Sequence, residues 1–283
     1  MRSVVVTGAS SGIGRATALH LATSGRRVFA GVRKGSDGQA LTGVATGVLE
    51  PLILDVGEQS SIDAAVKTVH DAVGFDGLSG LVNNAGIAIS GPLEYLPIED
   101  LRRQLEVNVI GQIAVTQAFL PLIRQAQGRI VNIGSVAGRA PSAPLLGPYA
   151  ASKMAMEALT DSLRAELKPW GILVSIIEPG NIATRIWEKA DSDFDHLESV
   201  MPEEGLRRYA KLLAGGRKIA KMADRRGISP EKVARAVEHA LTARRPKTRY
   251  LVGWDARVRA HIEAVLPDRV RDGIVARILR RIG

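Results

Sequence analysis

At 283 residues, with 46% hydrophobic residues, the chain is long enough to bury a full core as one large domain. It has no cysteine, which excludes disulfides, thiolate metal sites and thiol nucleophiles. The net charge of +9 is concentrated at one end, where residues 244–283 hold 11 Lys and Arg against 4 Asp and Glu; the main body is near neutral, which argues against a nucleic-acid groove there.

Short apolar runs predict strands at 3–7, 27–32, 48–54, 79–83, 129–134, 172–178 and 248–252. Helical stretches are predicted between them near 12–24, 58–73, 97–126 and 148–168, with another at 229–243. Such alternation reads as repeated βαβ units around a parallel sheet. Right-handed crossovers then give a Rossmann-like α/β fold, a doubly wound seven-stranded parallel sheet with helices on both faces. No linker interrupts it, so residues 1–283 are read as a single domain. Two segments depart from the pattern. Residues 181–226 form a long irregular insert that reads as a substrate lid, and 254–283 add helix after the last strand. No apolar run approaches about 18 residues, so no membrane-spanning helix is expected. The first residues run straight into a strand, and a cytoplasmic location is expected.

Thr7-Gly8-Ala9-Ser10-Ser11-Gly12-Ile13-Gly14 follows the first strand and opens the first helix. Glycines there let the backbone turn sharply and approach a pyrophosphate, and the helix start offers free N–H groups. The spacing is G-x-x-x-G-x-G, which differs from the G-x-G-x-x-G fingerprint. Further along, Tyr149 and Lys153 stand at i and i+4 on a predicted helix and so share a face. An ammonium within roughly 4–6 Å of a phenol is expected to pull its pKa down from about 10. The product would be a general base that also serves as an acid.

On these two motifs the chain resembles the short-chain dehydrogenase/reductase family, in its compact branch. Further matches follow in order. Leu54-Asp55-Val56 ends strand three and Asn83-Asn84-Ala85-Gly86 ends strand four. Val107-Asn108-Val109 lies in the helical stretch 97–126, and Ser135 follows Ile133-Gly134 at the end of strand five. Glu178-Pro179-Gly180 and Thr184 follow strand six. The resemblance covers about residues 3–252. One departure is that Ser135 and Tyr149 are separated by one residue more than is usual. The extra residue is placed in the loop 140–148, where Ser142 is read as structural.

The resemblance implies that Tyr149 exchanges a proton with the substrate oxygen. Lys153 would depress its pKa and bond the nicotinamide ribose, Ser135 would stabilise developing charge, and Asn108 would hold a water linking Lys153 to solvent. It also implies a cofactor site of Gly8, Ser10, Ser11, Gly12, Ile13, Gly14, Arg33, Asp55, Val56, Asn83, Ala85, Gly86, Tyr149, Lys153, Pro179, Gly180, Ile182 and Thr184. After strand two the chain reads Ala30-Gly31-Val32-Arg33-Lys34, with no acid to hold a ribose 2′-hydroxyl. Arg33 can instead bond a 2′-phosphate, so NADP is expected, with NAD the alternative. Against this, Ser11 stands where some NADP enzymes of the family carry a basic residue.

Gly91-Pro92-Leu93-Glu94, residues 102–108 and residues 174–180 are similar to the branch holding retinol dehydrogenases and 17β-hydroxysteroid dehydrogenases. The insert adds Ile186, Trp187, Phe194, Leu197, Met201, Tyr209, Leu212 and Leu213. These would either cover an apolar substrate or pack the lid onto its own domain or a neighbouring subunit. The expected reaction interconverts an apolar secondary alcohol (steroid-, retinoid- or lipid-like) and its ketone. Alternatives are a 3-oxoacyl thioester reductase and a non-catalytic NADP-binding regulator; the latter usually lacks the tyrosine or lysine present here. The five histidines show no ligand spacing, so no metal is expected. The resemblance implies a homo-dimer or tetramer formed through the helices carrying Asn108 and Tyr149. From Val270 the residues Ile274, Val275, Ile278, Leu279 and Ile282 recur at helical spacing, with Arg271, Arg277, Arg280 and Arg281 on other faces. That helix could lie on an anionic membrane, cover the cleft or pack against a subunit.

Overall fold

Val4, Val5 and Val6 are fully buried although successive side chains point to opposite faces, as a central strand covered on both sides requires. They belong to β1 (Ser3–Val6), followed by β2 (Arg27–Val32), β3 (Leu49–Ile53), β4 (Gly80–Asn83), β5 (Arg129–Ile133), β6 (Leu173–Pro179) and β7 (Arg249–Val252). The computed structural model describes residues 1–140, 144–183 and 190–282, without the side chains of 190–193, 219–226 and 278–282. The strands form one parallel sheet in the order β3-β2-β1-β4-β5-β6-β7. The order reverses between β1 and β4. That reversal opens a crevice beyond their carboxyl ends, where ligands bind in such sheets.

Each face has its own apolar layer. On one, α1 (Gly12–Thr23) and α9 (Pro230–Thr242) bury Ala18, Leu21, Val233 and Val237 against β1 and β2. On the other, α3 (Gln59–Val73), α5 (Gly111–Gln125) and α6 (Gly147–Leu167) bury Ile62, Val69, Phe119, Ile123 and Leu167. The predicted strands and main helices therefore stand where expected.

The differences have local causes. Helix α2 (Gly35–Thr42) was not expected, because Gly35-Ser36-Asp37-Gly38 reads as a loop. Gly38 is there for packing: a Cβ on it would come 2.6 Å from the Pro51 side chain. The stretch expected as one helix over 97–126 divides into α4 (Ile98–Leu105), a π-helical turn at Glu106–Ile110, and α5. By length and composition the segment Ile98–Gln125 would suffice to cross a membrane, contrary to expectation. Val115, Phe119, Leu122 and Ile123 instead bury it against the sheet. The insert expected to be irregular is helical, with α7 (Ala190–Val200) and α8 (Glu203–Arg226). Glu203–Arg207 and Glu204–Arg208 ion pairs one turn apart support the start of α8. After β7 come α10 (Trp254–Val265) and α11 (Asp268–Ile282). Val270 and Ile274 on α11 stay exposed.

A buried chain of amides and hydroxyls joins the layers below the crevice. Asn83 Nδ2 donates to Thr116 Oγ1 (2.8 Å) and to Asn132 Oδ1 (2.9 Å), and Asn132 Nδ2 donates to Thr160 Oγ1 (2.8 Å). Truncating its middle member leaves two buried polar groups without their partner. Asn132→Ala is expected to lower the free energy of unfolding by roughly 1–3 kcal/mol, read from urea denaturation with an unchanged slope.

Candidate active site

The glycine loop and the β4 loop are tied together atom by atom. Thr7 Oγ1 accepts from Asn84 N and Ala85 N, each at 2.9 Å. Asn84 Nδ2 returns donors to Thr7 O (2.9 Å) and Gly8 O (3.1 Å). Gly8 has φ +63°, and a Cβ on it would come 2.8 Å from Ala85 Cα. A Cβ on Gly14 would collide with both Gly8 O and the Asn84 amide. The loop can therefore lie this close only as glycine. Beyond it the α1 N-terminus is open: Ser11 makes no side-chain cap bond and no acid stands in the first turn. Free N–H groups, a positive dipole end and a tight glycine cradle fit a pyrophosphate.

The other expected cofactor residues lie at or just beyond the strand ends where they are described, with two corrections. Arg33 and Lys34 are exposed just past β2. Asp55 Oδ1 accepts from Gly57 N (3.0 Å) and Val56 is buried beside it, which fixes the β3 loop. The first correction is that the Asn83 side chain belongs to the buried network, while its neighbour Asn84 ties the glycine loop. Pro179 and Gly180 end β6, where Gly180 N donates to Val252 O (2.9 Å). Asn181 N donates to Asp255 Oδ2 of α10 (2.6 Å), and Ile182 pairs with Ile228. Thr184 lies outside the described residues, as do Ser142, Ile186 and Trp187.

The proposed catalytic side chains converge at the end of β5. Pro148 in the first turn starts α6, which carries Tyr149 and Lys153. Lys153 Nζ donates to Ile133 O at 2.8 Å, a bond buried in protein. Gly138 lets the turn after Ser135 press onto α6, since a Cβ there would come 2.8 Å from Lys153 O. Ser135 Oγ accepts from Ala137 N (3.1 Å) and a hydrogen bond links Ser135 to Tyr149.

Here the second correction appears. Burial pushes the Tyr149 phenol above its ordinary value, against a smaller lowering by Ser135. Lys153 Nζ sits 5.7 Å from the Tyr149 ring centre, turned to Ile133, and exerts no resolved pull on the phenol. Burial lowers Lys153 itself to about 8, with Glu157 opposing the drop. The i, i+4 spacing places the pair correctly but does not reveal how deeply the ammonium is buried.

Asn108 sits in the π-helical turn, where such turns often mark functional positions. Its Oδ1 accepts from Ile87 N (2.8 Å), and its Nδ2 donates to Ile87 O (2.9 Å) and Ser152 Oγ (3.1 Å). Gln104, four residues earlier and missed beforehand, grips the same loop through Ile89 N (2.6 Å) and Ile87 O (2.9 Å). Amides at every fourth position, Gln104, Asn108 and Gln112, are the signal the sequence offers. The side chains of Gln104 and Asn108 are thus engaged in holding the loop 87–89.

Of the insert's apolar residues, Phe194, Leu197, Met201 and Leu213 pack with Leu145 in a separate small core, with Tyr209 and Leu212 against it. They pack the insert onto its own domain and leave a cavity of about 370 Å³ lined by Pro92, Leu93, Leu145, Gly147, Tyr209 and Leu212. Glu94 lies at its rim, accepting from Tyr209 OH (2.8 Å). Among the described residues no group of three His, Asp or Glu is placed to hold a metal ion.

Residues 2–195 match the family described as short chain dehydrogenase. The chain is 37% identical over 287 residues to an NADPH-dependent 3-dehydrocapnine reductase of Ornithobacterium rhinotracheale, covering 100% of this chain and 99% of that one. It is 40% identical to retinol dehydrogenase 5 of Mus musculus, over 98% of this chain and 89% of that one. A short chain dehydrogenase/reductase of Burkholderia phymatum, solved in complex with NAD, superposes with a TM-score of 0.78 at 25% identity over 92% of each chain.

The buried ammonium has a consequence for stability. Lys153 is held near 8 when folded, against an ordinary 10.5, so its contribution is present above 10.5 and lost as pH falls through 8. Lys153→Met removes that dependence. The variant is expected to be more stable than the parent by about 1–2 kcal/mol at neutral pH, the gap closing as pH rises above 8, as read by thermal unfolding across that range.

Proposed function

Because the chain belongs to the short-chain dehydrogenase family, we propose that it is an NADP(H)-dependent oxidoreductase interconverting an apolar secondary alcohol and its ketone, working as a reductase. The observation that carries this reading is the meeting of Tyr149, Ser135 and Lys153 at the end of β5, with Lys153 Nζ bonded to Ile133 O and the glycine cradle at the neighbouring strand ends. A phenol that keeps its proton near neutral pH suits delivery of that proton to a ketone oxygen. Ser135 would donate to the same oxygen and stabilise the charge that develops there.

The nicotinamide, when bound, supplies or accepts the hydride. The residues present fit such a dinucleotide: the Gly8–Gly14 cradle and open α1 terminus for its phosphates, Arg33 for a 2′-phosphate, and Lys153 for the nicotinamide ribose. Lys153 loses its proton close to neutrality, so it can restore the Tyr149 proton after each turnover. The side chain of Asn108 is committed to Ile87 and Ser152, which leaves it the role of positioning the loop more than of carrying water.

Arg33 and Lys34, exposed where an NAD site would carry an acid, support NADP. The largely apolar cavity beside Gly147 supports an apolar substrate. Ile98, Ile110 and Met154 are about half exposed on the helices carrying Asn108 and Tyr149, with relative accessibilities of 59%, 54% and 47%. Apolar residues left exposed there support a homo-oligomer formed through these helices.

The test is NAD(P)H consumption at 340 nm with a panel of apolar ketones and 3-oxoacyl thioesters, for the parent and Arg33→Glu. A ketone should turn over fastest with NADPH. The substitution should lower kcat/KM for NADPH by about two orders of magnitude while changing NADH only a few-fold. An equal loss with both cofactors would remove Arg33 from phosphate recognition, and fastest turnover of a thioester would shift the substrate assignment.

A further inference from the structure

Glu178, the residue before Pro179-Gly180 on β6, is fully buried yet has no part in the reaction described. Three elements that carry the site meet at it. Arg139, at the end of the turn that starts with Ser135, places Nη1 3.6 Å from one carboxylate oxygen. Arg249 of β7 places Nε 3.4 Å from the other. The same guanidinium reaches Glu157 of α6 at 3.1 Å and Asp161 at 2.6 Å, and Arg164 also pairs with Asp161. Glu157 stands one helical turn beyond Lys153 and is the carboxylate that opposes the loss of its proton. Neither oxygen of Glu178 has a hydrogen bond, and one oxygen of Glu157 also lacks one. A buried carboxylate at ion-pair distance from two arginines, and satisfied by neither, is costly unless its charge has a use.

We propose that Glu178 is a positioning residue: its carboxylate, held between Arg139 and Arg249, joins the Ser135 turn and the Lys153 helix to the start of the cofactor loop and, with Glu157, sets the charge on Lys153. The proposal rests on the roles given above to Ser135 and Lys153. The facing groups are Arg139, Arg249 and Glu157 around Glu178, and Lys153, Arg249, Arg139 and Asp161 around Glu157. Burial first, and Glu157 second, raise Glu178 to about 7, so its proton comes and goes near neutrality. Its folded value lies above the ordinary 4.5; its contribution to stability is therefore full below 4.5 and lost as pH rises through 7.

The experiment titrates Lys153 in the full chain by NMR of ¹³Cε-labelled lysine, its signal assigned by its loss in Lys153→Met. Glu178→Gln removes the charge and keeps the shape. The Lys153 midpoint should fall by about half a pH unit or more, and the parent's decline in melting temperature between about pH 5 and 8 should flatten. A strut without electrostatic coupling would lower stability and leave both the midpoint and the pH slope unmoved, which would overturn the proposal. Should Glu178→Gln fail to fold, Glu157→Gln must lower the midpoint and Glu178→Asp must leave it near the parent value; failure of either overturns it. NADPH binding to the parent, followed by fluorescence, tests the functional reading separately, because the lysine titration needs neither cofactor nor substrate.

Discussion

The hydrogen bond from the buried Lys153 ammonium to the carbonyl of Ile133 seats α6 on the end of β5. The arrangement proposed as catalytic is organised about it. It brings the first turn of α6, with Tyr149, over the strand end that leads into Ser135. Gly138 permits the close approach that this seating needs. Burying an ammonium is unfavourable, and the depression of Lys153 to about 8 measures that cost. The same cost makes the lysine useful, because it holds a proton that it can release near neutral pH.

The opposite wall of the crevice is held by different forces. Four hydrogen bonds join Thr7 and Gly8 after β1 to Asn84 and Ala85 after β4, and two glycines bring the backbones together. That wall is rigid before anything binds, as a cradle for phosphates should be. Between the walls, Gln104 and Asn108 hold residues 87–89 from the helix behind. Each wall rests on strands whose positions the reversal between β1 and β4 dictates. The insert forms a separate small core around Leu145, Phe194, Leu197 and Leu213.

Much of this could be read from the sequence, for identifiable reasons. Strands buried on both faces leave short unbroken apolar runs, so Val4-Val5-Val6 and its counterparts stand out. The glycine loop and the Tyr149–Lys153 pair are local patterns whose spacing is the geometry. What escaped depends on depth and direction, which spacing does not encode. Asn83 and Asn84 are neighbours on a strand end, yet the side chain of Asn83 joins the buried network and that of Asn84 the glycine loop. Lys153 is on the same face of α6 as Tyr149, but its turn toward Ile133 and the rise of Tyr149 by its own burial follow from packing in three dimensions. Helix α2 was hidden because its glycines and serine resemble a loop, while Gly38 serves close packing on Pro51. The lid helices were hidden because their charged faces mask the apolar spacing that folds them.

In the function proposed, Tyr149 delivers the proton at a site otherwise complete without it. Tyr149→Phe isolates that role, since the phenyl ring fills the same space and leaves the cradle and Lys153 in place. The decisive measurement is single-turnover oxidation of bound NADPH by the best ketone, with NADPH affinity determined on the same sample. The account predicts affinity within a few-fold of the parent and a hydride-transfer rate lower by about 10²–10⁴-fold. A rate within about tenfold of the parent at unchanged affinity would contradict it.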